Sequence, residues 1–257
     1  MLAGVRIPSR WLPSVRQGRE VKVRLFCFPY AGGNATVFHG WADQLPESID
    51  LCPIQLPGRG ARFGEPLADR IPVLAEAIAE AISPFLDLPF ALFGHSLGAL
   101  IAFETAQGIR SRFLRLPVRL LVSAHRAPRL KSGRPPLHHL PDADLIVELE
   151  RLEGTPRQVL NDPELMALML PTLRADFALC DTYAYVGRAP LECPITVFGG
   201  SEDKDVGRSQ LEPWGEETRG ELSLFEIPGG HFFIHDSEAS LLKLITQQLY
   251  PFVRAVA

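Results

Sequence analysis

The chain lacks the usual cysteine signatures. Its four cysteines, Cys27, Cys52, Cys180 and Cys193, form no CxxC pair, and none stands at a zinc-like spacing from a histidine. Neither a thiol redox motif nor a zinc site is therefore expected. It also lacks a surplus of positive charge: 26 basic against 30 acidic residues leave a net charge of −4. That balance gives no overall pull toward nucleic acid or an anionic bilayer, so any electrostatic preference must be local. No stretch approaches the roughly 18 apolar residues that would span a membrane. Residues Met1 to Val15 carry Arg6, Pro8 and Arg10 rather than an apolar leader core. Internal repeats and low-complexity tracts are missing as well.

What remains is an ordinary globular composition, 46% hydrophobic and 22% charged in 257 residues. This is enough chain for one α/β domain, residues 1–257, with a generous core. Cys27 and Cys52 lie inside apolar runs, where a thiol behaves as a small hydrophobe. Free buried cysteines suit a reducing compartment, so a cytoplasmic protein is expected.

Strand and helix patterns alternate, which predicts a mostly parallel sheet covered on both faces. The strands are expected at Val21 to Phe28, Ile49 to Gln55, Phe90 to Phe93, Leu116 to Ala124, Ile195 to Gly199 and Leu222 to Ile227. Helical spacing covers Thr36 to Leu45, Ile71 to Leu86, Ala99 to Arg112 and Ala239 to Val253. Between Arg126 and Ala189 the rhythm breaks. A proline-rich opening leads into helical segments near Ala143 to Leu152 and Pro163 to Tyr185, with no good strand. Helices inserted between two core strands read as a lid over a site, residues 126–189, although a plain helical decoration would have the same pattern.

The chemistry concentrates at Gly94-His95-Ser96-Leu97-Gly98, which follows an apolar strand and opens a helix. A G-x-S-x-G segment in that context makes Ser96 a candidate nucleophile on a strained turn, and the helix start offers free amides to an oxyanion. A simple helix N-cap is the plainer reading of Ser96. A serine hydroxyl needs a base. Among seven histidines, His231 follows Pro228-Gly229-Gly230 just past the last strand, at the carboxyl edge where sites of open α/β sheets form. His235, four residues on, is its rival. The third member should be a carboxylate that holds the imidazole tautomer. Asp203, on the loop after Ile195 to Phe198, is favoured over Asp205 and Glu202. The order Ser96, Asp203, His231 is that of α/β-hydrolases, which makes the α/β-hydrolase fold the expected class. The oxyanion donors should be the Leu97 amide and one from Phe28-Pro-Tyr-Ala-Gly-Gly33, with Ala31 ahead of Tyr30.

These segments resemble a family, the stand-alone type II thioesterases that accompany polyketide and non-ribosomal peptide synthetases. The likeness spans most of the chain. It runs through Phe28-Pro-Tyr-Ala-Gly-Gly33, Trp41 with Gln44-Leu-Pro46, Gln55-Leu-Pro-Gly-Arg-Gly60 and Phe93-Gly-His-Ser-Leu-Gly98. It continues through Leu170-Pro171 with Arg174-Ala-Asp176, the Gly200 to Asp203 turn, Trp214 and Gly229-Gly-His-Phe-Phe233. The arm up to about Gly18 lies outside it and is given no role. The resemblance implies hydrolysis of unproductive acyl groups from the phosphopantetheine arm of acyl or peptidyl carrier proteins. It implies the same three catalytic residues; the mechanism that follows runs through an acyl-enzyme and needs no metal or redox cofactor, and nothing in the sequence demands more than a monomer. The competing activities are a carboxylesterase or lipase on oxygen esters, which the same triad would serve, and a non-catalytic scaffold. Arg126, Arg129, Lys131 and Arg134 form a cluster that could steer an acidic carrier, or simply a solvated loop. Arg59 and Arg62 suit a structural ion pair better than the pantetheine phosphate.

Overall fold

A computed structural model of the chain describes residues 9–16 and 20–254. The first eight residues, 17–19 and the last three lie outside it, and with them part of the N-terminal arm. In chain order the strands are β1 (Val23–Phe28), β2 (Ile49–Pro53), β3 (Phe90–His95), β4 (Arg119–Ser123), β5 (Ile195–Gly200) and β6 (Leu222–Ile227). The α-helices are α1 (Ile71–Ile82), α2 (Leu97–Phe113), α3 (Asp142–Leu152), α4 (Arg157–Leu160), α5 (Pro163–Thr182), α6 (Arg208–Leu211), α7 (Phe233–Asp236) and α8 (Glu238–Arg254).

The six strands form one parallel sheet in the order β2-β1-β3-β4-β5-β6. From β1 the chain steps outward to β2 and then returns to the other side of β1 as β3. The carboxyl ends of β1 and β3 therefore flank a switch point, where a crevice opens in sheets of this kind. Period-two alternation along β1 sends Phe26 and Phe28 to one face and Val23, Leu25 and Cys27 to the other. The first face packs on α1 and α2 through Ile78, Ile82, Leu100 and Phe103. The second packs on α8 through Leu241, Ile245 and Leu249, with Trp41 alongside. Helices thus cover both faces, as the alternating pattern predicts.

Element boundaries differ from the sequence expectation mainly at helix starts and short turns. The segment expected as a helix at Thr36 to Leu45 is a 3-10 helix, Ala35–Asp43, capped by Asn34, whose side chain accepts from the Thr36 amide at 2.7 Å. With β-branched Thr36 and Val37 and then Gly40, it has little reason to settle into a longer α-helix. Ile71 to Leu86 divides where Pro84 cannot donate, giving α1 and a short 3-10 turn at Ser83–Phe85.

The N-terminal arm, given no role above, is part of the core. Leu12 and Val15 are fully buried, and the Trp11 carbonyl accepts from the Gln55 amide at 2.9 Å. Arg62 lies 3.7 Å over the Trp11 ring, and Arg16 pairs with the buried Asp50 at 3.2 Å.

Between β4 and β5 the chain forms α3, α4 and α5 and no strand. These helices bury their own apolar cluster, Leu145, Leu149, Met166, Leu170 and Leu173, separate from the two sheet cores. The segment is fastened at both feet by buried carboxylates. Glu104 accepts from the Tyr183 hydroxyl at 2.6 Å and from Arg188 at 2.9 Å. Glu217 accepts from the Tyr185 hydroxyl and from Arg129, each at 2.8 Å. Among the described residues, no helix is long and apolar enough to cross a membrane.

Candidate active site

Ser96 stands between the end of β3 and the first turn of α2, with φ 53° and ψ −120°. Such a conformation costs a side chain about 1–3 kcal/mol and persists only where its surroundings enforce it. Two enforcers are Gly94 and Gly98. A Cβ on Gly94 would lie 2.1 Å from the Gly98 carbonyl oxygen, and one on Gly98 would lie 2.1 Å from that of Phe28. The turn can approach β1 this closely only without side chains at both positions. Gly98→Ala should therefore cost at least about 2 kcal/mol, the scale of overpacking a rigid core. Urea denaturation of the variant checks this, and an unchanged midpoint would contradict it. A further tie comes from Ser123 on β4. Its carbonyl accepts from the Ser96 amide at 2.8 Å, and its hydroxyl bonds His95 Nδ1 at 2.9 Å.

The loops after β5 and β6 are zipped together. Ser201 donates its amide to the Ile227 carbonyl at 2.8 Å, and Glu202 donates to that of Gly229 at 2.9 Å. Gly200 permits this contact, since a Cβ there would lie 2.3 Å from the Gly230 oxygen. The zip sets Asp203 beside His231. Oδ2 of Asp203 faces His231 Nδ1 at 2.7 Å, and Oδ1 accepts from the amides of Asp205 and Val206 at 2.8 and 3.1 Å. On the other side of the ring, His231 Nε2 lies 3.0 Å from Ser96 Oγ. An ionised carboxylate can only accept, so Nδ1 carries the proton and Nε2 is left to accept from the serine hydroxyl. Asp203 is buried, while His231 and Ser96 remain partly accessible. The arrangement is competent for nucleophilic attack by Ser96 with His231 as proton acceptor.

The rival residues are engaged elsewhere. His235 Nε2 bonds the Tyr30 hydroxyl at 2.8 Å. Asp205 pairs with Arg134 and Arg151, and Glu202 is exposed. His95 is fully buried against Tyr30, Phe232 and Phe233, and burial first, then the nearby His231, lowers its pKa. His125 is buried too. Burial chiefly, and Arg126 secondarily, push it down to about 3, and its Nδ1 faces the Arg126 carbonyl at 2.7 Å. A histidine held neutral this way contributes stability above its ordinary pKa near 6.5, and that stability is lost as pH falls from about 6.5 toward 3. Urea midpoints taken from pH 7 to pH 4 should fall more steeply for the wild type than for His125→Gln. The excess slope should approach about 1.4 kcal/mol per pH unit. Parallel curves would contradict a neutral buried His125.

On the first loop, the Gly33 amide donates to the Tyr30 carbonyl at 2.9 Å, and the Gly32 amide to Asp176 Oδ2 at 2.7 Å. With those two committed, Tyr30 and Ala31 are the remaining candidates to accompany Leu97 as oxyanion donors. Both line the cavity together with Ser96.

That cavity has a volume of about 440 Å³. Ser96, His231 and Phe232 form its core side, and Leu137, Leu149, Leu173 and Phe177 of the inserted segment form its apolar wall. The insertion also touches the histidine loop directly, since a Cβ on Gly154 would lie 2.2 Å from the Phe232 ring. A larger hollow of about 530 Å³, between the N-terminal arm and the Ala35–Asp43 turn, includes none of the three residues. Among the described residues, no cluster of side chains could hold a metal ion.

Half of the basic cluster at 126–134 is neutralised within the chain. Arg129 pairs with Glu216 and Glu217, Arg134 with Asp205, and the Arg126 Nε donates to the Leu130 carbonyl. The half-buried Arg126, bonded to a neutral carbonyl, and the exposed Lys131 keep their charges without a carboxylate partner among the described residues, so only these two are left for the electrostatic steering expected from this stretch. Arg59 and Arg62 are found in ion pairs, with Asp176 and Glu65.

Residues 23–249 match the thioesterase domain family. The chain is 43% identical over 241 residues to the gramicidin S biosynthesis protein GrsT of Aneurinibacillus migulanus, with 94% of each chain covered. Among solved structures, it resembles RedJ, a thioesterase from the prodiginine biosynthetic pathway in Streptomyces coelicolor. That likeness has a TM-score of 0.85 and 38% identity, covering 89% of this chain and 91% of RedJ. The type II thioesterase BorB from the borrelidin biosynthetic cluster aligns with a TM-score of 0.87 and 34% identity, over 95% of this chain and 100% of BorB.

Proposed function

Because the chain belongs to the thioesterase family, we propose that it removes acyl groups from the phosphopantetheine arm of carrier proteins. In this role it would edit polyketide or non-ribosomal peptide assembly lines. The observation that carries the reading is the unbroken Asp203–His231–Ser96 hydrogen-bond chain at the foot of a cavity with one apolar wall. The pathway membership of GrsT, RedJ and BorB supports the carrier-bound substrate.

Ser96 Oγ attacks the thioester carbonyl as its proton passes to His231 Nε2. The tetrahedral oxyanion is held by the Leu97 and Ala31 amides. Collapse breaks the C–S bond, and the pantetheine sulfur leaves as a thiol, taking the proton from His231. Water, deprotonated by His231, then attacks the acyl-serine. A second collapse releases the carboxylic acid and returns the proton to Ser96. Asp203 remains ionised and holds the imidazole. Segment 126–189 serves as the lid of the acyl chamber. All five groups come from one chain, so a monomer can supply the whole site. Four unpaired cysteines, three of them buried, fit a reducing cytoplasm.

The test is release of acetate from an acetyl-phosphopantetheinyl carrier protein, followed by intact mass, beside hydrolysis of a p-nitrophenyl ester. Preferential turnover of the carrier supports the reading. Turnover of the oxygen ester alone would replace it with an esterase.

A further inference from the structure

Asp176 and Arg59 belong to neither the triad nor the proposed oxyanion donors, yet they form a buried ion pair against the loop that carries one donor. Asp176 is on α5, in the inserted segment. Arg59 follows β2, 117 residues earlier in the chain. Both side chains are more than nine-tenths buried. The pair is bidentate: Arg59 Nη2 donates to Asp176 Oδ1 at 2.7 Å, and Nη1 donates to Oδ2. The same two groups also grip the loop after β1. Asp176 Oδ2 accepts the Gly32 amide at 2.7 Å, and Arg59 Nη1 donates to the Gly33 carbonyl at 3.3 Å. Gly32 has φ +77°, so the loop that carries the Ala31 and Gly32 amides turns through a left-handed conformation that L side chains rarely adopt. Leu173, one helical turn before Asp176, closes over it. A Cβ on Gly32 would lie 2.5 Å from its side chain.

We infer that Asp176 and Arg59 are positioning residues for the oxyanion donor. By consuming the Gly32 amide and Gly33 carbonyl, the pair fixes the orientation of the neighbouring Ala31 N–H toward Ser96. This rests on the proposed serine mechanism and deepens it. An oxyanion hole works because its dipoles are oriented before charge develops. An isolated tight turn of small residues would not hold that orientation. A buried charged pair is costly to form, and its rigid bidentate geometry suits the fixing of a neighbouring backbone better than the stabilising of a fold. The pair also ties α5 to the sheet edge. Lid opening must therefore bend the segment ahead of α5 rather than swing α5 itself.

The test compares wild type with Asp176→Asn, Asp176→Ala and Arg59→Lys. Acyl-carrier hydrolysis is measured per folded active site, alongside inhibition by an acyl trifluoromethyl ketone, which forms a tetrahedral oxyanion on serine. Asp176→Ala should lower kcat by about 10²-fold with little change in KM, the scale of losing one oxyanion donor. Affinity for the ketone should fall in parallel. Asp176→Asn and Arg59→Lys, which keep the volume and part of the bonding, should show smaller losses of both. They carry the test if Asp176→Ala does not fold. The pH dependence of kcat/KM should keep its wild-type midpoint, since the triad is untouched. Ketone affinity unchanged in variants that fold would overturn the inference and reduce the pair to a structural role. Failure of a fluorophosphonate to label Ser96 in the wild type would instead overturn the serine mechanism beneath it.

Discussion

Ser96→Ala is expected to lower kcat by about 10⁵–10⁶-fold, the largest effect of any single change in this chain. The Ser96 hydroxyl makes one side-chain contact of consequence, its 3.0 Å bond to His231 Nε2. Alanine keeps the Cβ that already tolerates φ 53°, so the elbow is no more strained than before. Stability should stay within about 0.5 kcal/mol of wild type, the usual range for a change that removes no packing. Loss of activity then reports chemistry rather than unfolding. Acetate release and the intact mass of the enzyme during turnover check it together. A wild-type adduct one acyl group heavier, lacking in the variant, places the covalent step on Ser96. Retention of a tenth of the wild-type rate would mean that the hydroxyl is not the nucleophile.

Asp203→Asn should lower kcat by about 10⁴-fold while keeping the structure. The carboxylate accepts three hydrogen bonds, two from loop amides and one from His231. An asparagine can still accept from Asp205 and Val206 through its oxygen. Its amide nitrogen then faces His231 Nδ1 and donates to it. The imidazole proton is driven to Nε2, where it points at Ser96 and blocks general-base action. Glu202→Gln, one residue earlier on the same loop but exposed, should leave the rate within about twofold, as surface changes usually do. The pair of variants separates the loss of one specific carboxylate from a general effect of charge on this loop. Comparable losses in both would remove Asp203 from its role.

The alternating strands and the strand-turn-helix around Ser96 were legible because each is written in a few consecutive residues. The run Phe90–Phe93 into Gly94-His95-Ser96 specifies its own geometry: a buried strand followed by glycines where only glycine fits. The choice among Glu202, Asp203 and Asp205 is different, because all three sit on one loop and spacing alone cannot rank them. It is decided by the bonds from Ser201 to Ile227 and from Glu202 to Gly229, which depend on two strands lying side by side. The role of the N-terminal arm was hidden for a related reason. Trp11, Leu12 and Val15 have no helical or strand period, and their burial follows from what they meet, Arg62 and the residues beyond β2. For Arg59 an ion pair was expected, but its partner was hidden, since nothing local in either segment announces Asp176, 117 residues away. The same limit applies to the basic cluster at 126–134, where Arg129 and Arg134 are met by Glu216, Glu217 and Asp205 from distant segments.

The separate apolar cluster of α3, α4 and α5 bears on how such a protein can diverge. Substitutions at Leu145, Leu149 or Met166 are absorbed within the insertion and leave the packing beneath the sheet undisturbed. Of these, Leu149 also lines the cavity beside Ser96, so on the proposed function the chamber wall can be reshaped for other acyl groups by drift in one cassette of sequence. The catalytic platform is inherited intact. Asp176 is the exception. It lies in the cassette but answers to the platform, so a graft that carries the wall and omits this carboxylate would transplant a shape without its reactivity.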